Sequence, residues 1–447
     1  MSDKISLKNI FRNSMWQICE KILTMIISIF ITSLIARYLG SERYGTVNYV
    51  ISVVMLFTAF STLGMEKITI NDIIDKKNKV GEILGTSFFI RIIGGVILIF
   101  ISQLTLYILD GSNFETQILG IIMGTSILFK AFEVIEYYFQ AKMKFKMIAL
   151  IRFCTAIVVA LFKVLVVIFD FGMIGFISSY LVDAVTAAIL FFIVYKNGSS
   201  DKWKLNKAYA KSILSRCWYV AIAGLMTTIY MRIDQVMLGS MFEEKSQNGI
   251  YSAAVRIAEM WYFVPTAVIS AFQPIIIKRK KEEDGVYEST MQKLYDLVSI
   301  IGVSFAILIS IFSDLAVDIL YGAEYAQASN VLTISVWAGL FATLGTARSV
   351  WLIIEHLEKY TIIYTLSGCV INIALNAILI PTYGAFGAAF ATLITQFISN
   401  IFILMIFKKT RKSSFMILKS IFNNKVIFGA FKELYQKIKR KMLLKIT

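Results

Sequence analysis

Apolar runs, each about the thickness of a bilayer, alternate with short polar connections along nearly the whole chain. Twelve of these runs are predicted as spanning helices: 14–37, 45–64, 83–109, 116–138, 148–169, 173–195, 213–238, 249–276, 294–313, 328–354, 361–380 and 386–407. A spanning helix needs roughly 20 apolar residues, and each run meets that length or comes close to it. The predicted fold class is therefore an all-α polytopic membrane protein.

The connections repeat. Leu39-Gly40-Ser41 and Leu238-Gly239-Ser240 each end a run, and a polar turn and a Gly that opens the next helix follow both. Two other returning helices open on Gly-x-x-Gly, at Gly172/Gly175 and Gly384/Gly387. The chain thus reads as two six-helix halves, 1–205 and 206–407, joined through an inner linker at 196–212, with a tail at 408–447. Six is an even number, so both halves run in the same direction. Parallel repeats about an axis along the membrane normal are a recurring transporter plan.

Charge sets the orientation. With the N-terminus inside, the inner segments hold 33 Lys and Arg, and the outer connections hold two, Arg43 and Lys245. Basic residues in short loops stay on the cytoplasmic side, so both termini are expected there, in a bacterial cytoplasmic membrane. The formal net charge is +16, and the segment from Lys408 onward contributes twelve Lys/Arg against one acid, Glu433. Within it Ile427, Phe431, Leu434, Ile438 and Met442 keep a helical spacing, as expected of a basic amphipathic helix on anionic lipid. This distribution follows the membrane, and no nucleic-acid role is expected.

Composition removes several function classes. Only 17% of residues are charged and 57% are hydrophobic. No removable signal peptide is read at the start. The four cysteines are scattered without a CxxC pair, and His356 is the single histidine. Neither a disulfide framework, a metal site nor a histidine-based triad is expected, and no cofactor is implied. No GxxxxGK[ST] pattern occurs, and no inner loop could hold a nucleotide-binding domain.

The chemistry lies in charges inside the apolar runs, where an ionised group at a helix centre costs roughly 2.5–3.5 kcal/mol. Arg256 with Glu259, and Lys130 with Glu133, are spaced for intrahelical pairs. Arg91, Lys163, Arg348 and Asp183 have no opposite charge within one turn. Arg232 and Asp234, two apart, diverge on a helix, as do the adjacent Glu20 and Lys21. Snorkelling or pairing between helices is the bland alternative. If most of these groups face one cavity, its cations (Lys21, Arg91, Lys163, Arg232, Arg348) outnumber its acids (Glu20, Asp183, Asp234) and favour an anionic guest. Asn372 and Asn376 share a helix face and suit interhelical hydrogen bonding as well as substrate contact.

Several segments together carry a resemblance: WQICEKIL from Trp16, ARYLGSERYG (36–45), FSTLGMEKITIND (60–72), EVIEYYFQAKMKFK (133–146), RIDQVMLG (232–239) and NIALNAILIPTYGAFGAAFATLI (372–394). They span about 14–407, and the chain resembles Wzx-type polysaccharide flippases of the multidrug/oligosaccharidyl-lipid/polysaccharide exporter superfamily. The resemblance implies a V of two six-helix lobes around a central cavity. It also implies a non-enzymatic role, translocating undecaprenyl-pyrophosphate-linked oligosaccharide for capsule or O-antigen assembly. A polysaccharide polymerase and chain-length proteins would be partners. Arg232, Arg91, Arg348, Lys21, Lys163 and Arg256 would meet the anionic substrate; Glu20, Asp183, Asp234 and Glu259 would balance or couple. The adjacent Arg-Asp pair in the first helix of lipid II flippases is missing here, where the chain reads ISIFITSL. The rival readings are a multidrug antiporter on the same fold, a membrane glycosyltransferase or polymerase, and a scaffold.

Overall fold

A computed structural model describes residues 7–111, 113–198, 201–282 and 286–422. Every regular element among them is helical. Ten helices are long and apolar enough to cross a bilayer, and the protein is a multi-pass membrane protein. Two of the ten each hold two predicted spans. Helix α1 (Leu7–Leu56) leaves helical geometry at Gly40, with φ 74° and ψ 170°, and α11 (Lys359–Phe397) does so at Gly384, with φ 55° and ψ −133°. At 37 residues, Glu20–Leu56 would exceed 50 Å if straight, at about 1.5 Å per residue. The bend therefore divides it, and twelve runs become ten continuous helices.

Two compact units form. The first runs to Gly249 and takes in Leu320–Glu324; the second holds Ile250–Ile319 and the chain from Tyr325. In the first, α1 packs against α4 (Phe145–Ile168) and α6 (Lys207–Met241), while α2 (Val80–Asp110), α3 (Phe114–Phe129) and α5 (Gly172–Gly198) close around them. The contact boundary thus lies one helix beyond the inner linker of the sequence repeat, because α6 packs on α1 and α2. The linker is fastened as well. Lys204 N donates to Gly81 O (3.1 Å), Asn206 N to Thr86 Oγ1 (2.9 Å), and Asn206 Nδ2 to Glu82 Oε2 (2.6 Å). A Cβ at Gly81 would sit 2.2 Å from Lys202 O, so a side chain there would push the linker away.

The repeat is visible in backbone geometry. Gly172 and Gly384 both take positive φ, 58° and 55°, a region open to glycine at little cost. Gly175 and Gly387 sit against the preceding chain, where a Cβ would lie 2.5 Å from Phe171 Cβ and 2.3 Å from Leu379 O. The two Leu-Gly-Ser motifs differ: Gly40 makes a bend, whereas Gly239 stays helical and receives the Tyr49 ring, 2.1 Å from where a Cβ would be. After it, α6 ends at Met241 and α7 (Ser246–Glu259) begins. The two openings then cross backbone to backbone. A Cβ on Gly45 would lie 1.9 Å from Lys245 O, one on Gly249 would lie 2.0 Å from Ser41 O, and Asn248 Nδ2 donates to Gly45 O (2.8 Å).

In the second unit, α8 (Phe263–Glu282), α9 (Val286–Tyr321) and α10 (Ala328–Ile354) build a core around Met291, Leu294, Tyr295, Leu344 and Trp351. The two arms of α11 are tied by Asn376 Nδ2 donating to Asn372 Oδ1 (3.1 Å) and Asn372 Nδ2 to Thr392 Oγ1 (3.5 Å). A five-residue π segment, Ile398–Phe402, follows α11. The start of the basic tail forms α12 (Arg411–Phe422), which buries Ser413, Ser414, Ile417 and Ser420. Ile417 joins the core, the Tyr295 and Ser413 hydroxyls lie 2.6 Å apart, and Gln292 Nε2 donates to Met416 O (3.1 Å). This part of the tail packs on protein. The amphipathic positions from Ile427 to Met442 lie outside the described residues.

Candidate functional site

The charges buried in the first unit come together from three successive apolar segments. Arg91 of α2 is 1% exposed; its Nη2 donates to Glu133 Oε2 (2.9 Å) and its Nη1 to Tyr137 Oη (2.8 Å). Glu133 also accepts from Arg152 of α4 (3.2 Å), which donates in turn to Glu136 (2.5 Å). The Arg152 guanidinium lies over the Phe191 ring of α5, 5.6 Å from its centroid. Two guanidinium groups and two carboxylates balance, so this network is neutral within itself. Such pairing is what keeps ionised groups in an apolar interior, since a stranded charge there costs several kcal/mol.

Local structure explains the pairing. A 3₁₀ turn, Lys130–Glu133, separates α3 from the Val134–Ala141 helix, and a 3₁₀ stretch inside a span often marks a hinge. Glu133 is directed to Arg91 and Arg152; no ion pair joins it to Lys130, and this corrects the expected intrahelical pair. Arg91 is likewise paired, through an acid 42 residues away in the chain, where spacing along one helix finds nothing. Arg152, Glu136 and Tyr137 were not singled out from the sequence. Glu133 and Glu136 at i, i+3, with Arg152 early in the next helix, was the available signal.

Around this network stand three of the other expected residues. Asp183, half-buried on α5, lines the same crevice as Lys130, Glu133 and Arg152. Glu20 is half-buried on α1, accepts from Thr24 Oγ1 (3.5 Å) and lies in the electrostatic field of Arg152 and Glu136. Lys21 beside it is exposed. Lys163 sits apart on α4, over the rings of Phe176 and Tyr180, at 5.4 and 5.7 Å.

On α6 the neighbours Arg232 and Asp234 diverge, as their spacing requires. Asp234 is 4% exposed and has a partner. Arg232 is half-buried, and among the described residues it makes no hydrogen bond or ion pair. At the other end of α6, outside the apolar stretch of the chain, Asp72 in the Glu66–Asp75 helix accepts both Arg216 nitrogens (3.1 and 2.5 Å) and Tyr209 Oη (2.9 Å). Burial pushes the Asp72 carboxyl up, but the hydrogen bonds from Arg216 and Tyr209 outweigh it and hold the group below its ordinary value.

In the second unit Arg348 is fully buried. Its Nη1 donates to Asn400 O of the π segment (2.8 Å), and its guanidinium stacks 4.0 Å from the Tyr364 ring centroid. Arg256 and Glu259 are exposed, and each has a partner. The expected residues therefore do not form one cluster. Arg91 is committed to a neutral network with Glu20 and Asp183 at its margin, Arg348 is built into the second unit's core, and Arg232 and Lys21 make no ion pair with any described residue. No group of His, Cys, Asp and Glu suited to a metal ion occurs among the described residues.

Comparison with known proteins agrees with this architecture. A family model described as polysaccharide biosynthesis protein matches residues 34–330. The capsular polysaccharide biosynthesis protein CapF of Staphylococcus aureus is 21% identical over 87% of this chain and 97% of its own. The probable low-salt glycan biosynthesis flippase Agl15 of Haloferax volcanii is 26% identical over 43% of this chain and 41% of its own. Among solved structures, the lipid II flippase MurJ in an inward closed conformation superposes with a TM-score of 0.71 at 17% identity, covering 92% of this chain and 91% of that one. An inward-facing multidrug resistance MATE family transporter of the MOP superfamily gives 0.68 at 13% identity, over 87% and 95%. The chain belongs to the polysaccharide biosynthesis protein family, on the fold shared by MurJ and the MATE transporters.

Proposed function

We propose that this protein is a flippase that moves undecaprenyl-pyrophosphate-linked oligosaccharide repeat units from the inner to the outer leaflet of a bacterial cytoplasmic membrane, with both termini cytoplasmic. The family match supports a role in polysaccharide biosynthesis, and the fold is that of transporters. The observation that carries the substrate class is Arg232: a half-buried guanidinium in a spanning helix that no described residue neutralises. A planar, permanently charged fork of donors suits a phosphate oxygen pair. Lys21, exposed on the first span, is a second cation for the same anion. In this reading Arg91 and Arg348 shape the units, and Glu20 and Asp183 sit where they could respond to movement of the network. The reaction makes and breaks no covalent bond, so the chain acts without catalytic residues or cofactor. Its basic tail would rest on anionic lipid, near a polymerase and chain-length partners.

The test is the fate of lipid-linked intermediates in cells lacking the gene. Complete repeat units should accumulate on the inner leaflet while the surface stays bare, and Arg232→Gln should fail to restore export although the protein is made and inserted. Normal surface polysaccharide without accumulation, in a strain with no redundant flippase, would reject the proposal in favour of a drug antiporter.

A further inference from the structure

Leu320–Glu324 belongs to the first unit although the chain on both sides of it, α9 and α10, belongs to the second. This segment is held at the Gly40 bend of α1. The Ser41 N–H donates to Glu324 Oε1 (2.5 Å), and Arg37 Nε donates to Leu320 O (3.0 Å). Gly40 is required twice over: its φ is +74°, and a Cβ there would lie 3.0 Å from Glu324 Oε1. The first Leu-Gly-Ser motif thus makes both the bend and the seat for a carboxylate.

The chain passes between the two units at three points, Gly249/Ile250, Ile319/Leu320 and Glu324/Tyr325. The first point lies at the Gly45–Gly249 crossing, where the backbones are too close for any side chain and Asn248 is fully buried. That junction is dry and fixed. The other two bound a five-residue segment held in a different way. Ala323 and Glu324 are exposed, and Gly322 adopts φ +83°. Exposed polar bonds next to a glycine swivel belong to the low-stability end of a structure, the part that opens first.

We infer that Leu320–Glu324 is a releasable strap, whose Glu324–Ser41 and Arg37–Leu320 bonds hold the outer ends of the helices closed and must break for the outward-open state. When α9 and α10 move relative to α1, the strap either travels with them and lets go of Gly40, or stays and resists the movement. Gly45–Gly249 stays in place and serves as the pivot. The term outer rests on the orientation proposed above; the strap itself does not.

The test uses full-length protein in lipid nanodiscs, so neither sidedness nor substrate affects the readout. Ser41→Cys is introduced and its reaction with a maleimide is followed, relative to the same chain with Ser41 intact. Adding Glu324→Ala should raise the rate about tenfold, a change of about 1.4 kcal/mol in the closed state's favour lost. Arg37→Ala should raise it as well, and the milder Glu324→Gln, which keeps the size of the side chain, should give a smaller increase. Unchanged rates in all three overturn the strap. A second arm joins Arg37→Cys to Leu320→Cys with a short bis-maleimide. Export of surface polysaccharide should stop in cells when the link forms. Export at the uncrosslinked rate would show that the segment never releases and would also overturn the inference. If the protein turns out to move another substrate, the labelling arm still decides.

Discussion

Replacing Arg91 distinguishes a structural cation from a substrate ligand. Arg91→Ala deletes the 2.9 Å bond to Glu133 and the 2.8 Å bond to Tyr137, and removes a guanidinium 5.8 Å from the Tyr137 ring centroid. Removing one partner of a buried pair costs about 3–5 kcal/mol, most of it from the charge left behind. Here Arg152 still reaches Glu133 at 3.2 Å, so the lower end, about 3 kcal/mol, is expected. The double change Arg91→Met with Glu133→Gln removes one charge of each sign and leaves Arg152 with Glu136 at 2.5 Å. It should recover to within about 1 kcal/mol of the parent, because apolar replacement of a whole pair is often neutral. The assay is unfolding of purified protein in detergent, run beside surface-polysaccharide export for each variant. A protein that loses stability with Arg91→Ala and regains both stability and export in the double variant fits the network. The reasoning fails if Arg91→Ala unfolds like the parent yet abolishes export, since Arg91 would then be acting on substrate.

Other expectations follow from the same coordinates. Asp72 is depressed in the folded state, so its contribution is complete above the ordinary carboxylate pKa of about 3.9 and is lost as pH falls through the lower folded value. Asp72→Asn should cost about 1 kcal/mol at pH 7, small because Arg216 is 40% exposed, and the gap from the parent should close below pH 4 in pH-dependent unfolding. Gly45→Ala should largely prevent insertion of folded protein, since its Cβ would lie 1.9 Å from a backbone oxygen, whereas Gly111→Ala meets nothing within 4 Å. The latter should cost only about 1–2 kcal/mol for its positive φ, and expression with unfolding measurements separates the two. Tyr295→Phe should cost about 1 kcal/mol by leaving the buried Ser413 hydroxyl without its partner.

How much of this was legible in the sequence depends on how far along the chain each signal reaches. Hydrophobic length and glycine spacing are local. They mark the spans and the paired turns, and Gly172 and Gly384 indeed share a positive φ. The breaks at Phe57 and at Lys130–Glu133 carry neither Pro nor Gly, so nothing local announces them. Charge pairing in a membrane is less visible again. A window of four residues treats Arg91 as isolated, while its acid arrives from another span. Arg232 shows the opposite case, since its isolation on the helix persists in the fold. The two Leu-Gly-Ser motifs read alike but act differently, because one glycine must bend beneath Glu324 and the other must admit Tyr49.

The fastening of residues 201–206 along the start of α2 has a consequence for how the gene can be cut. Duplication would have joined two copies at that linker, yet the seventh span is tied down by it and is counted with the first unit up to Gly249. Inheritance and mechanics thus divide the chain at different residues. Two co-expressed fragments broken near Glu243, in the turn between α6 and α7, should reassemble into a working protein more readily than fragments broken near Gly198. In the second case the linker and its helix would have to find the other fragment unaided.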